Sequence, residues 1–333
     1  MKLTGRLHFV KVKIPSRDAN SASGLEIRAL GWSPSLHKDA GPPGSRQTRL
    51  ESLTQGPEPD MLGWKREGLE ARRPKGSMLP CILASQRLWH GAMTKAHQVE
   101  SNERMAELLA GLDPKGAPRL AFVRRTSAGI GKQAGHLLCL SASFNPLTAA
   151  HVWLIREASR IFSPDEVLLV LAKTNVDKSV EGFPLERRLG LLLRFTESRP
   201  TFSVAACSHG RFMDKAEAIL PHYPPGTRLA FIVGFDTLAR LFDPKYYADL
   251  EASLSALFGA SEFIAANRAP DPLEAVASFL ARPDVAPHAH RIHVIQLPAR
   301  IAAMSATEIR ARLARGESVA GLVPPEIQPL LNS

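Results

Sequence analysis

A run of small residues, Ser141-Ala142-Ser143, leads through Phe144-Asn145-Pro146-Leu147 into Thr148-Ala149-Ala150-His151. His136 to Leu140 read as a short buried strand, while His151, Leu154, Ile155, Ala158 and Ile161 recur at helical spacing. A strand that turns directly into a helix leaves main-chain N–H groups and the positive end of the helix dipole at the turn, where a phosphate is favoured. Pro146 restricts the turn, Thr148 suits an N-cap, and His151 places an imidazole on the first helical turn. The same residues also suit an ordinary strand-to-helix corner with His151 packed in the core.

Two further turns have the same form. Met304-Ser305-Ala306-Thr307-Glu308-Ile309-Arg310 follows the apolar run Ile292 to Leu297, with Ser305 and Glu308 at capping-box spacing. Two hydroxyls and Arg310 at a helix start suit a polyanion. Arg228 to Val233 is an apolar strand that ends in Gly234-Phe235-Asp236-Thr237-Leu238, and a carboxylate at such a strand end is where a ribose hydroxyl is often held. Taken singly, Ser305 and Asp236 read equally well as plain helix caps.

Together, S-x-S-F-N-P-x-T-x-A-H, G-F-D-T-L and S-A-T-E-I-R, in that order, resemble the nicotinamide or nicotinate mononucleotide adenylyltransferases of the nucleotidyltransferase superfamily. The likeness is nearest to the divergent fungal-type branch and covers about Leu137 to Leu331. It implies that Thr148 and His151 stand where the family contacts phosphate, and that Ser305, Thr307 and Arg310 hold the outer phosphates of ATP. Gly234 and Asp236 would lie beside the bound nucleotides, with Ser143, Phe144 and Asn145 of the first turn also against substrate. Lys178 and Arg188 match basic positions after the second strand, and Arg268, at another strand end, is a further candidate for reaching nucleotide. The chain departs from the family pattern where Ser141, Ala142 and Ala150 replace glycines and Thr148 replaces a histidine. Each added methyl narrows the approach of phosphate to backbone.

The implied reaction is adenylyl transfer from ATP to a nicotinamide or nicotinate mononucleotide, yielding a dinucleotide and pyrophosphate in NAD biosynthesis. Its demands are positioning and charge stabilisation, without a covalent nucleophile. His151, Thr148 and Arg310 are the expected catalytic set, and Mg²⁺ would be held mainly by ATP phosphates. Two other readings stay open: a related transferase using CTP or an acceptor such as phosphopantetheine, and a non-catalytic nucleotide-binding module.

These motifs need elements that bring them to one edge. Strand patterns at Leu137–Leu140, Glu166–Leu171, Phe202–Ala205, Arg228–Val233, Glu262–Ala266 and Ile292–Leu297 alternate with helical patterns at His151–Phe162, Leu185–Glu197, Asp214–Leu220, Leu273–Leu280 and Thr307–Ala314. Such alternation predicts an α/β fold, a Rossmann-like doubly wound parallel sheet with ligands at the C-terminal strand ends. Met105, Leu108, Leu109 and Leu112 predict an amphipathic helix that packs on the sheet or on a partner subunit.

The chain divides into a basic extension (residues 1–92), a leading helix and linker (93–135) and a catalytic domain (136–333). Of the net charge of +10, the extension carries +7, from 15 Lys and Arg against 8 Asp and Glu. Its 8 Pro, 10 Gly and 9 Ser, with no sustained period, predict disorder. It reads as a dispensable stretch ahead of a start at Met93, a binding tail or a targeting segment. Nucleic-acid binding is expected only through this extension. There is no apolar run long enough to span a membrane, and Cys81, Cys139 and Cys207 form no C-x-x-C, which points to a reducing, cytoplasmic setting, with nucleus and organelles left open. A homo-oligomer is compatible with the sequence. Gly129-Ile130-Gly131-Lys132 lacks the spacing of a P-loop, and His288, His290 and His293 lack the partners of a zinc site, so both read as loops.

Overall fold

The computed structural model describes residues 10–13, 26–29, 103–173, 182–267 and 273–332. In the extension lie two strands, β1 (Val10–Lys13) and β2 (Glu26–Ala29). Next come a helix at residues 103–110 (α1), β3 (Leu120–Arg124), β4 (His136–Ser141), α2 (Ala149–Phe162) and β5 (Glu166–Ala172). The chain continues through α3 (Leu185–Thr196), β6 (Phe202–Cys207), α4 (Phe212–Ile219), β7 (Arg228–Gly234), α5 (Phe235–Leu241) and α6 (Leu250–Ala260). It ends with β8 (Ser261–Asn267), α7 (Leu273–Leu280), β9 (Ile292–Gln296), α8 (Ala299–Ala302) and α9 (Ala306–Ala314).

The sheet runs β2-β1-β9-β8-β7-β4-β5-β6-β3. From β4 the chain winds outward through β5 and β6, returns to the other side of β4 as β7, and winds out again through β8 and β9, all parallel. The switch in winding direction therefore falls between β4 and β7, which leaves a crevice at their C-terminal ends. β3 joins antiparallel at the β6 edge, with a register shift between Phe122 and Arg124. β1 and β2 pair antiparallel with each other, and Val10 reaches Val294 of β9. These two four-residue segments alternate apolar and charged side chains, VKVK and EIRA, too briefly to register as a period in a stretch read as disordered.

Both faces of the parallel strands are apolar. In β4, Leu138 and Leu140 face α2, α3 and α9, whereas Leu137 and Cys139 face α4 to α7. This alternation at period two, with both faces covered, is what a parallel sheet requires. Each fully buried Leu, Ile or Phe contributes about 1.5–3 kcal/mol, so the strand ends that carry the three motifs are rigidly held. Met105, Leu109 and Leu112 are buried on the α2 side, and Lys173 Nζ donates to the carbonyls of Leu109 and Leu112, both at 2.8 Å, near the end of α1. The expected packing of this helix on the sheet is thus observed.

Besides β1 and β2, three elements were not expected: β3, α6 and the four-residue α8. β3 is a five-residue edge strand, and α6 carries Leu254, Leu257 and Phe258 inward behind an Asp249 N-cap. The helical spacing of those three residues was present as a signal. Gly129 and Ile130 pack under the opposite end of the sheet, where Ile130 N–H donates to buried Glu166 at 3.0 Å, so this loop has a structural task. His288 stacks on Phe258 and His293 pairs with Glu262, and no cluster of metal-ligating side chains occurs among the described residues. Among those residues no helix is long and apolar enough to cross a membrane.

Candidate active site

The turn from β4 into α2 is closed by a capping box. Thr148 is the N-cap: its Oγ1 accepts from His151 N–H (3.4 Å), and its own main-chain N–H donates to His151 Nδ1 (3.0 Å). The imidazole thus takes the place that glutamate or glutamine usually holds in this motif. Phe144, fully buried with φ of 43°, packs its ring 5.4 Å from that of His151. Ala149 N–H donates to Leu322 O at 2.8 Å. The main-chain amides of Thr148, Ala149 and His151, expected from the sequence to face an anion, are therefore taken up by protein acceptors.

A cleft of about 460 Å³ opens at the switch point. Its walls include Ser141, Ala142 and His151 from the first motif, Gly234, Asp236 and Thr237 from the second, and Phe212, Arg240 and Leu297. His151 and Asp236 share this space. Gly234 ends β7, and among the described residues, its chain neighbours aside, nothing lies within 4 Å of where a Cβ would stand. A larger hollow of about 610 Å³ between α4 and α6 is lined chiefly by apolar residues such as Met213, Leu220 and Leu257, and lacks convergent polar groups.

Arg310 reaches the first motif through Asn145. Its Nη1 donates to Asn145 O at 2.8 Å, while the Asn145 side chain, 1% exposed, accepts from Phe183 N–H at 3.0 Å. Gly182, at φ of 117°, completes this knot. A Cβ there would stand 2.7 Å from the Asn145 amide and 2.8 Å from Arg310 Cδ. Asn145 consequently ties three segments together: the β4–α2 turn, the entry to α3, and α9. Arg188 is buried in the first turn of α3, and burial followed by the charge of Arg310 holds its guanidinium below the ordinary value. Arg188 Nε donates to Phe183 O at 2.5 Å, which ties this guanidinium to the entry of α3.

Ser305 caps α9 by accepting from Thr307 N–H at 3.2 Å. The capping box expected there is incomplete, because Glu308 turns to Arg312 (3.0 Å) instead of back to Ser305. Thr307 Oγ1 accepts from Arg310 Nη2 at 3.4 Å, so the Ser305–Arg310 segment forms one polar surface. Ser143 is exposed on the first turn, while Phe144 and Asn145 are buried beneath it. Lys178 and Arg268 lie outside the described residues. Phe212 and Arg240 were not singled out from the sequence, although Arg240 falls one helical turn after Asp236.

The sequence model of the family described as cytidylyltransferase-like matches residues 140–312, just over half of the chain. A Schizosaccharomyces pombe protein named "Putative nicotinamide mononucleotide adenylyltransferase" is 32% identical over 136 residues, 40% of this chain; the match spans only 53% of that relative's length. A Bordetella petrii protein named "Probable nicotinate-nucleotide adenylyltransferase" is 30% identical over 196 residues, 56% of this chain and 91% of its own. Among solved structures, the Plasmodium falciparum nicotinic acid mononucleotide adenylyltransferase complexed with NaAD aligns at 16% identity and a TM-score of 0.42, over 59% of this chain and 92% of that one.

Proposed function

Because this chain belongs to the cytidylyltransferase-like family, and within it to the nicotinamide and nicotinate mononucleotide adenylyltransferases, we propose that it transfers the adenylyl group of ATP to a pyridine mononucleotide. The observation that carries this reading is that His151 and Asp236 line one cleft at the β4–β7 switch point while Arg310 is fastened to the same turn.

A phosphate oxygen of the mononucleotide attacks the α-phosphorus of ATP; the new P–O bond forms as the bond to the β-phosphate oxygen breaks, and pyrophosphate leaves. The attacking phosphate is already largely ionised at neutral pH, so no general base is needed. The work of the protein is to bring two anions together and to offset the charge spread over the phosphate oxygens. His151 donates a hydrogen bond to the reacting phosphate from the cleft wall. Arg310, steadied by Asn145 and Thr307, and Arg188 behind it offset negative charge, with Ser305 and Thr307 holding the outer phosphates. Asp236 lies where a ribose hydroxyl is held. Mg²⁺ carried on the phosphates of ATP would neutralise part of their charge. Asp236 is the one carboxylate among the described residues of the cleft wall, which fits a metal carried by substrate more than by a protein cage.

The test is pyrophosphate release from Mg²⁺ and ATP, with each pyridine mononucleotide supplied in turn. Release is expected only when the acceptor is present, and His151→Ala is expected to lose about 10²–10³ of turnover, the usual cost of removing one oxyanion donor. ATP turnover that ignores the acceptor, or a His151→Ala enzyme equal to the wild type, would sink the proposal.

A further inference from the structure

We propose that Thr148 is a positioning residue that fixes His151 as a neutral imidazole with its proton on Nε2, so that the ring serves phosphate as a hydrogen-bond donor and not as a cation. What the ring acts on rests on the function proposed above; its tautomer does not.

One group beside the ring cannot change its role. A main-chain N–H can only donate, and the Thr148 amide points at His151 Nδ1 from 3.0 Å. Nδ1 must therefore offer its lone pair, which leaves Nε2 to carry the proton. The Thr148 hydroxyl fits the same assignment. Its oxygen lies 3.4 Å from His151 N–H and 2.8 Å from Nδ1, so its lone pair serves the amide and its hydrogen turns to the ring. A proton on Nδ1 would set two N–H groups against each other and open the capping box. The Phe144 ring, 5.4 Å away on the same turn, packs against the imidazole.

The surroundings supply a reason for a neutral donor. Asp236 and Arg240 of α5 face His151 across the cleft, Arg310 of α9 reaches its turn through Asn145, and Arg188 of α3 stands near Arg310. On α2 itself, Glu157 is paired with Arg156 and Arg160. Positive charge is already provided by the guanidinium groups. A directed donor is what the turn lacks, because the amides of Thr148, Ala149 and His151 are engaged within the protein.

The experiment is a two-dimensional ¹H–¹⁵N spectrum of the full, ligand-free chain labelled at histidine, recorded at neutral pH, with His151→Gln identifying the signal. The expected pattern is a bare Nδ1 and a protonated Nε2. The opposite tautomer, or two protonated nitrogens, overturns the proposal. Thr148→Val keeps the main-chain donor but loses the hydroxyl that closes the capping box and holds the ring against that donor, so it is expected to mix the tautomers, and Thr148→Ser to preserve the wild-type pattern; an unchanged Thr148→Val spectrum overturns the role given to the Thr148 side chain. In turnover, His151→Gln, whose amide can reach the Nε2 position, should come within about tenfold of the wild type, whereas His151→Asn should remain as low as His151→Ala. Glutamine and alanine variants of equal rate would overturn the donor role. A chain with the expected tautomer that makes no dinucleotide would count against the functional reading alone.

Discussion

Gly234 shows how a single residue can be placed for a ligand and not for the fold. Its φ is an ordinary −74°, and among the described residues, its chain neighbours aside, a Cβ at this position would meet nothing within 4 Å. The position nevertheless lines the cleft between the first two motifs. Gly234→Ala is therefore expected to leave the thermal midpoint unchanged while kcat/KM falls about tenfold, as a methyl group enters space meant for nucleotide. Equal kcat/KM in the two proteins would show that this strand end does not face substrate. The neighbouring Asp236 and His151 were legible in the sequence from their place after an apolar strand. Asn145 was legible only as part of a motif. Its task of tying α9 and the entry to α3 to the first turn depends on contacts 38 and 165 residues away in the chain, which no local pattern carries.

At the scale of elements, the three helix starts differ more than their sequences suggest. α2 closes its own amides with a histidine, α9 is capped by Ser305 alone, and α5 follows Gly234 with no side-chain cap. The parallel strands were legible because they are continuous apolar runs bounded by turns. β3 was not, since a five-residue edge strand that pairs antiparallel owes its place to β6 and not to its own pattern. β7, β8 and β9 are also tied at the end away from the cleft. Glu262, nearly buried, accepts from Arg228 at 2.6 Å and pairs with His293 at 3.2 Å and Arg291 at 3.5 Å. Burial pushes this carboxyl up, but the hydrogen bonds and charges of Arg228 and His293 outweigh it, and the net direction is below the ordinary 4.5. A carboxyl lowered on folding contributes stability that is fully present above its unfolded value and is lost as pH falls through the folded one. Urea midpoints of the wild type are accordingly expected to fall on acidification below about pH 4.5, and to fall less for Glu262→Gln. Parallel curves for the two proteins would remove this tie from the account.

At the scale of the whole molecule, most of the net charge and the cleft-forming strands belong to different stretches of the sequence. The extension carries +7 of the net +10, whereas the cleft belongs to the strands from β4 onward, where the remaining +3 is spread over 27 Lys and Arg and 24 Asp and Glu after residue 92. The extension contributes two short strands at the β9 edge, on the far side of β8 and β7 from β4. The doubly wound order was legible from strand–helix alternation together with the position of the motifs, and it alone brings chain segments about 160 residues apart to one crevice. That convergence is the central claim. Its most direct test is an experimental structure of the full chain with Mg²⁺ and a non-hydrolysable ATP analogue. The account predicts a single triphosphate lying between His151 on one side and Arg310, Ser305 and Thr307 on the other, with Asp236 in the same cleft. A triphosphate seated away from the β4–β7 switch point, or touching only one of these motifs, would contradict it.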